Sequence, residues 1–277
     1  MLCLLLAVSA SVHSANVVIN VPVANMYSRA SANADVVSQA IYGANAEVLT
    51  RRSAWLRIRT ADGYPGWIAA SQALRHAPYA QTGAFVRVES LFANLYREAD
   101  ITKHRPLLTL PYEARLEVLV DREEDPRWLQ VRLASGRKAW VQRGDVSADL
   151  KPRSLADVLQ FSRRFLGLPY LWGGTSTYGY DCSGFTQMLL RRRGVLLPRD
   201  AGQQAAWSGA VAAPKDKLQP GDLLYFGDSP GKITHTGVYL GNEEFIDATP
   251  WQHPVVQIDR LDDAHWAPLF VAARRIP

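Results

Sequence analysis

The stretch Tyr180-Asp181-Cys182-Ser183-Gly184-Phe185 places a cysteine where a glycine-rich turn gives way to an amphipathic helix. The pair Gly173-Gly174 precedes it, and residues 186–193 continue the helical pattern. In the first turn of a helix, free backbone N–H groups and the helix dipole favour a thiolate over a thiol. A structural cysteine would more naturally lie in the middle of an apolar face. The position of Cys182 therefore indicates a nucleophile.

The chain has 277 residues and two cysteines, and the other cysteine lies at position 3. Residues 1–15 are a short apolar run followed by small residues, which is typical of a secretory signal, although a basic n-region is missing. The run is too short for a transmembrane anchor. We therefore expect an exported protein, periplasmic or secreted, in which Cys182 is the one remaining thiol and no disulfide can form.

The formal net charge is +5, and the basic residues are spread along the chain. No lysine and arginine block is interleaved with aromatic residues, so the charge pattern argues against a nucleic-acid partner. A mild positive surface would suit the approach to another anionic polymer.

The first half of the chain contains an internal repeat. Two segments recur about 70 residues later: Ala24-Asn25-Met26-Tyr27 as Ala93-Asn94-Leu95-Tyr96, and Trp55-Leu56-Arg57-Ile58-Arg59 as Trp128-Leu129-Gln130-Val131-Arg132. Within each copy, apolar and polar residues alternate with the period of a β-strand and are interrupted by turn signals. The repeat predicts two small β-barrels, one over residues 16–78 and one over residues 79–150.

Residues 151–277 have a different pattern. Ser154 is a typical N-cap before a helix that starts at Leu155, and the Cys182 helix follows. The apolar residues 223–226 then predict a strand, and residues 235–240 and 244–248 predict a hairpin whose first strand opens at His235. The third unit is therefore predicted to have an α+β order, with helices first and a mainly antiparallel sheet second.

A cysteine nucleophile needs a base, and the base needs a group that fixes its orientation. His235 and Asp247 are twelve residues apart across a tight turn, so we expect them side by side on one face of the sheet. Each alone would more simply be a surface residue. Together with Cys182 they predict a Cys-His-Asp triad.

Several motifs of residues 151–277 resemble those of the NlpC/P60 family of cell-wall cysteine peptidases. The motifs are residues 169–174 (PYLWGG), 181–185 (DCSGF), 197–200 (LPRD), 220–223 (PGDL) and 235–241 (HTGVYLG). The repeated first half is similar to bacterial SH3-like (SH3b) modules. Tandem SH3b modules ahead of such a domain resemble the γ-D-glutamyl-L-diamino acid endopeptidases. The resemblance implies a papain-like catalytic fold preceded by two SH3-like β-barrels.

The resemblance implies that Cys182 is the nucleophile and His235 the base. The family's third position is usually histidine, and here it is Asp247, whose carboxylate can accept the imidazole N–H. Tyr170 corresponds to a family tyrosine that helps the oxyanion site. We expect no metal and no cofactor, because the triad accounts for the potential ligands and no other metal-ligand spacing is present.

The resemblance also implies a substrate set for peptidoglycan stem peptides or muropeptides. Asp181 corresponds to the acidic residue that holds the free ammonium group of an N-terminal L-alanine. The other expected substrate residues are Ser183, Trp172, Asp200 and, from the first barrel, Tyr64. The family often has serine where this chain has Ala201, so one substrate hydrogen bond is expected to be absent.

The sequence thus predicts a monomeric enzyme that hydrolyses the bond between γ-D-glutamate and a diamino acid, either meso-diaminopimelate or lysine. Two alternatives stay open at this point. One is an endopeptidase acting on D,D-crosslinks in intact wall, and the other is a wall-binding protein whose catalytic domain has decayed.

Overall fold

The computed structural model describes residues 16–75, 78–120 and 126–277. The predicted signal segment, residues 1–15, lies outside the described residues. Strands predominate, and the described chain forms two seven-stranded sheets followed by a unit with helices, a two-stranded sheet and a six-stranded sheet. Among the described residues, no helix has the length and apolar character needed to cross a membrane.

The first sheet is an antiparallel set of seven strands in the order β3-β2-β6-β5-β4-β1-β7. The strands are β1 (Asn16–Ile19), β2 (Val23–Tyr27), β3 (Val36–Ile41), β4 (Asn45–Arg52), β5 (Trp55–Arg59), β6 (Pro65–Ala69) and β7 (Ala73–Arg75). In β5, Leu56 and Ile58 are buried while Arg57 and Arg59 are exposed, as the sequence alternation predicts. The buried face of the sheet forms its own apolar core around Met26.

The second sheet repeats the strand order of the first, β10-β9-β13-β12-β11-β8-β14. Its strands are β8 (Phe85–Val88), β9 (Phe92–Tyr96), β10 (Leu108–Pro111), β11 (Arg115–Val120), β12 (Trp128–Arg132), β13 (Lys138–Gln142) and β14 (Val146–Ser147). Tyr27 and Trp55 meet edge to face at 5.6 Å in the first sheet, and Tyr96 and Trp128 do so at 5.5 Å in the second. The sequence repeat is therefore also a structural repeat.

The third unit begins with its helices, α1 (Leu155–Ser162), α2 (Cys182–Arg192) and α3 (Ala201–Ala205). A short hairpin, β15 (Thr175–Ser176) and β16 (Gly179–Tyr180), precedes α2. The antiparallel sheet follows, with strands β17 (Val211–Ala212), β18 (Leu223–Ser229), β19 (Lys232–Gly241), β20 (Glu244–Thr249), β21 (Val255–Arg260) and β22 (Phe270–Arg275). Its strand order is β17-β22-β18-β19-β20-β21. Helix α2 packs across β19 and β20, and Phe185, Met188 and Leu189 share a buried core with Tyr225 and Ile246 of the sheet.

Both seven-stranded sheets bind the third unit close to α2. Gln39 of β3 accepts hydrogen bonds at its Oε1 from the Thr175 backbone N–H and the Ser176 hydroxyl, both at 3.0 Å. From the second sheet, Glu113 forms a bidentate ion pair with Arg191 of α2. The Gln39 hydrogen bonds hold the first sheet beside the turn that precedes α2, and the Glu113 ion pair holds the second sheet beside α2 itself.

The turn before α2 fits directly against the first sheet. Gly173 has a φ of 75°, a conformation that side chains with a Cβ rarely adopt. A Cβ at this position would lie 2.8 Å from Val36 Cγ1 and 2.9 Å from the Val36 carbonyl oxygen. The glycine therefore permits both the turn and the close approach of β3.

Candidate active site

Cys182 is the first residue of α2, as the sequence predicts, and its side chain is almost buried. Asp181 is the N-cap, and its Oδ1 accepts a hydrogen bond of 2.7 Å from the Gly184 N–H. The thiol therefore lies at the positive end of an eleven-residue helix. This position stabilises a thiolate electrostatically.

His235 and Asp247 lie on the neighbouring strands β19 and β20, with His235 Nε2 2.6 Å from Asp247 Oδ2. The Cys182 side chain lies near the His235 ring and acts on its pKa. Because Nε2 faces the carboxylate, Nδ1 is the ring nitrogen left for the thiol. The expected start of the strand at His235 is wrong, because pairing with β18 continues through a bulge and β19 begins at Lys232.

Space for the Asp247 carboxylate comes from a glycine. Gly237 lies on the same face of β19 as His235, and a Cβ there would be 3.1 Å from Asp247 Cβ and 2.7 Å from Phe245 Cδ2. The glycine therefore lets Asp247, which is completely buried, reach under the His235 ring.

Burial and charge act in opposite directions on the imidazole. Burial disfavours the imidazolium, but the influence of Cys182 and the hydrogen bond to Asp247 outweigh burial and raise the pKa of His235 above its ordinary value. Burial raises the pKa of Asp247 to about 6, although the His235 hydrogen bond opposes this shift. The arrangement therefore favours the protonated form of the His235 ring.

Tyr170 lies near the thiol, and the Trp172 side chain is 69 % exposed. Burial, followed by the Cys182 charge, raises the pKa of Tyr170 well above its ordinary value. Its hydroxyl therefore stays protonated and can donate a hydrogen bond to a developing negative charge.

Asp181, the residue expected to hold a substrate ammonium group, is engaged within the chain. Arg199 donates to both carboxylate oxygens, at 3.0 and 2.5 Å, and the Gly173 N–H donates to Oδ2 at 3.0 Å. Arg199 is only 2 % exposed and also donates to the Ser183 hydroxyl at 2.9 Å. The charge of Asp181 is thus neutralised by a buried guanidinium, and Ser183 is held by the same group.

Asp200 and Tyr64 lie together in a groove of about 720 Å³ between the first sheet and the third unit. The two side chains are close enough for each to act on the pKa of the other. Burial raises the pKa of both groups, that of Tyr64 to about 12. Asp200 precedes α3 without capping that helix, and its side chain lines the groove.

Three residues of the site region were not predicted. Arg199 belongs to the LPRD motif. Because Asp200 is its neighbour in sequence, the sequence suggests an Arg199–Asp200 ion pair and gives no sign of the observed pair with Asp181. Gln39 lies in an ordinary strand pattern. Trp266, which stacks on the His235 ring with centroids 4.7 Å apart, belongs to no motif.

Comparisons with known proteins match both parts of the chain. The NlpC/P60 family model matches residues 167–275, and the model of the bacterial dipeptidyl-peptidase Sh3 domain matches residues 26–72. The chain is 32 % identical to a gamma-D-glutamyl-L-lysine dipeptidyl-peptidase of Bacillus cereus, over 86 % of this chain and 74 % of the relative. A protein of the same name from Bacillus subtilis is 30 % identical, over 87 % of this chain and 81 % of the relative.

A solved structure agrees with these matches. The crystal structure of an NlpC/P60 family protein from Bacillus cereus superposes with a TM-score of 0.82 at 27 % identity, covering 95 % of this chain and all of that one. The comparisons confirm the family resemblance of the sequence motifs.

Proposed function

From the premise that the chain belongs to the NlpC/P60 family of cysteine peptidases, we propose that it hydrolyses the bond between γ-D-glutamate and the diamino acid of peptidoglycan stem peptides. The similarity to peptidoglycan hydrolases supports a peptidoglycan-derived substrate. The finer proposal is that the enzyme takes free stem peptides or muropeptides whose N-terminal L-alanine has an unblocked amino group.

The proposed domains are an SH3b domain over residues 16–78, a second over residues 79–150, and a papain-like α+β catalytic domain over residues 151–277. The shared strand order of the two seven-stranded sheets supports the tandem SH3b arrangement. Helices followed by an antiparallel sheet support the papain-like arrangement. Residues 1–15 are proposed to be a secretion signal, and the enzyme to act as an exported monomer.

In the proposed mechanism, His235 takes the Cys182 proton and the thiolate attacks the γ-glutamyl carbonyl carbon. Backbone N–H groups in the first turn of α2 and the Tyr170 hydroxyl stabilise the oxyanion. His235 then gives the proton to the leaving amine as the C–N bond breaks. Water, deprotonated by His235, hydrolyses the thioester and restores the thiol. Asp247 keeps the imidazole in the orientation that directs Nδ1 at the sulfur.

Substrate binding is proposed to use the groove between the first sheet and the third unit. The Asp200 carboxylate, which lines the groove with Tyr64, binds the ammonium group of L-alanine. Asp181 acts through Arg199 and Ser183, whose positions it fixes. The exposed indole of Trp172 provides an apolar wall for the peptide.

The observation that carries this proposal is the groove that Tyr64 and Asp200 line together, because it places a carboxylate between the first sheet and the third unit. A carboxylate in this groove favours a peptide with a free amino terminus over a peptide whose amino group is blocked. The names of the two Bacillus relatives, which include dipeptidyl-peptidase, agree with this geometry.

The test compares three substrates. The protein is incubated with L-Ala-γ-D-Glu-diaminopimelate, with its N-acetylated form and with intact sacculi, and the products are identified by mass spectrometry. We expect L-Ala-γ-D-Glu from the free tripeptide and little product from the other two. Equal cleavage of the acetylated peptide would refute the requirement for a free amine, and release of crosslink fragments from sacculi would favour the crosslink-cleaving alternative.

A further inference from the structure

One face of the His235 ring is covered by an indole. Trp266 stacks on the imidazole with ring centroids 4.7 Å apart and planes 26° from parallel. Phe226 of β18 lies against the same ring at 5.8 Å and 46°. Because Trp266 is only 4 % exposed, its contact with His235 lies away from water. The imidazole is therefore enclosed by aromatic rings as well as hydrogen-bonded.

The indole is itself held in place by polar and apolar contacts. Its Nε1–H donates to Asp259 Oδ2 at 3.0 Å, and Gln257 Nε2 donates to both oxygens of Asp259 at 2.9 and 3.0 Å. Phe245 meets the indole edge to face at 5.5 Å. Gln257 is the cross-strand partner of Asp247, so the strand that supports the indole also lies directly beside the carboxylate that holds His235.

We propose that Trp266 is a positioning residue that stabilises the imidazolium form of His235 and keeps its ring on the line between Cys182 and Asp247. The inference rests on the proposed role of His235 as the base. The electron-rich face of an indole attracts a cation, and the attraction is stronger where water is excluded. The stack therefore stabilises the imidazolium. In the proposed mechanism this form of His235 exists after the ring has taken the thiol proton and before it gives that proton to the leaving amine.

The titratable groups around the imidazole are few among the described residues. Cys182 approaches from α2 and Asp247 from β20, while Phe226 of β18 has no charge. Asp259 of β21 acts on Asp247 through its charge and lies behind the indole. His265 meets the indole edge to face at 4.6 Å. Trp266 and Phe226 are the large side chains in this set that contact the imidazole without a hydrogen bond to it, and the Trp266 ring is the closer of the two.

The test is Trp266→Leu, with Trp266→Phe as the conservative variant. Loss of the indole face should lower the pKa of His235 by about one unit, as read from NMR titration of its ring. The basic limb of the kcat profile should move to lower pH by the same amount, and kcat at that limb should fall about tenfold with little change in KM. Phenylalanine keeps an aromatic face without the N–H, so its shift should be less than that of leucine.

The matched control is Trp128→Leu. Trp128 is 5 % exposed and packs on Tyr96 in the second sheet, so this variant loses a buried indole far from the cleft. It should lose stability without moving the His235 titration. An unchanged titration in folded Trp266→Leu and Trp266→Phe, or an equal shift in the control, would overturn the inference.

The inference and the proposed function fail in distinguishable ways, because the NMR titration needs no substrate. A wild-type protein that cleaves no stem peptide would refute the proposed function, while the titration would still measure the effect of Trp266 on His235.

Discussion

Replacing Asp247 with alanine should reduce kcat sharply and leave KM nearly unchanged. Asp247 Oδ2 lies 2.6 Å from His235 Nε2, and the carboxylate is completely buried. A hydrogen bond to a charged group contributes about 1.5–3 kcal/mol, which corresponds to about 10- to 100-fold in rate. KM should change little because Asp247 lies beneath the imidazole and not in the groove that contains Asp200.

Asp247→Asn removes the negative charge of this residue and keeps the shape of its side chain. The amide oxygen can still accept the Nε2 proton, so we expect a loss near the lower end of that range, about tenfold. Comparison of Asp247→Ala with Asp247→Asn therefore measures separately the orientation of the His235 ring and the effect of the Asp247 charge. The assay is release of L-Ala-γ-D-Glu from the tripeptide under saturating and subsaturating conditions.

The same pair of variants predicts a pH dependence. Burial raises the pKa of Asp247 to about 6, so the carboxylate is charged above that pH and gains a proton as the pH falls through it. Wild-type kcat should accordingly decline on the acid side of about pH 6, and Asp247→Asn should lack this contribution. Wild-type kcat in Asp247→Ala near neutral pH, or an identical acid limb in Asp247→Asn, would refute the reasoning.

Three further outcomes follow from the packing and charges of the site. Gly237→Ala should abolish most activity in a chain that keeps its circular-dichroism spectrum, since the added methyl group would meet Asp247 Cβ at 3.1 Å; normal kcat would contradict this. Asp181→Asn should lower the free energy of unfolding in urea by about 3 kcal/mol, because Arg199 is left buried without its counter-charge; an unchanged midpoint would contradict this. Asp200→Asn should raise KM for the free-amine tripeptide about tenfold with normal stability, and an unaltered KM would place the ammonium site elsewhere.

The parts of the fold that follow from local signals could be predicted from the sequence. Asp181 caps α2 because a short acidic side chain before a helix can accept a backbone N–H, and the helix accordingly starts at Cys182. The alternation in β5 and the recurrence of the tyrosine and tryptophan pairs are also local, so they predict strands and a repeat without knowledge of the tertiary structure. The proximity of His235 and Asp247 follows from the register of one hairpin.

The rest depends on how distant segments meet. Arg199 pairs with Asp181, eighteen residues away, because the loop after α2 returns to the start of that helix. Local sequence instead favours the adjacent Asp200. Trp266 reaches His235 only through the order of the six-stranded sheet, which no sequence period specifies. Gln39 contacts Thr175 across 136 residues, so the contact between the first sheet and the turn before α2 also had no sequence signal.

The central claim is that Cys182 is the nucleophile of a peptidase acting on the γ-D-glutamyl bond. The direct measurement is side-by-side digestion of L-Ala-γ-D-Glu-diaminopimelate by the wild-type protein and by Cys182→Ala, with the dipeptide product followed by mass spectrometry. The account predicts dipeptide release by the wild type and none by the variant. No release by the wild type, or equal release by both proteins, would contradict it.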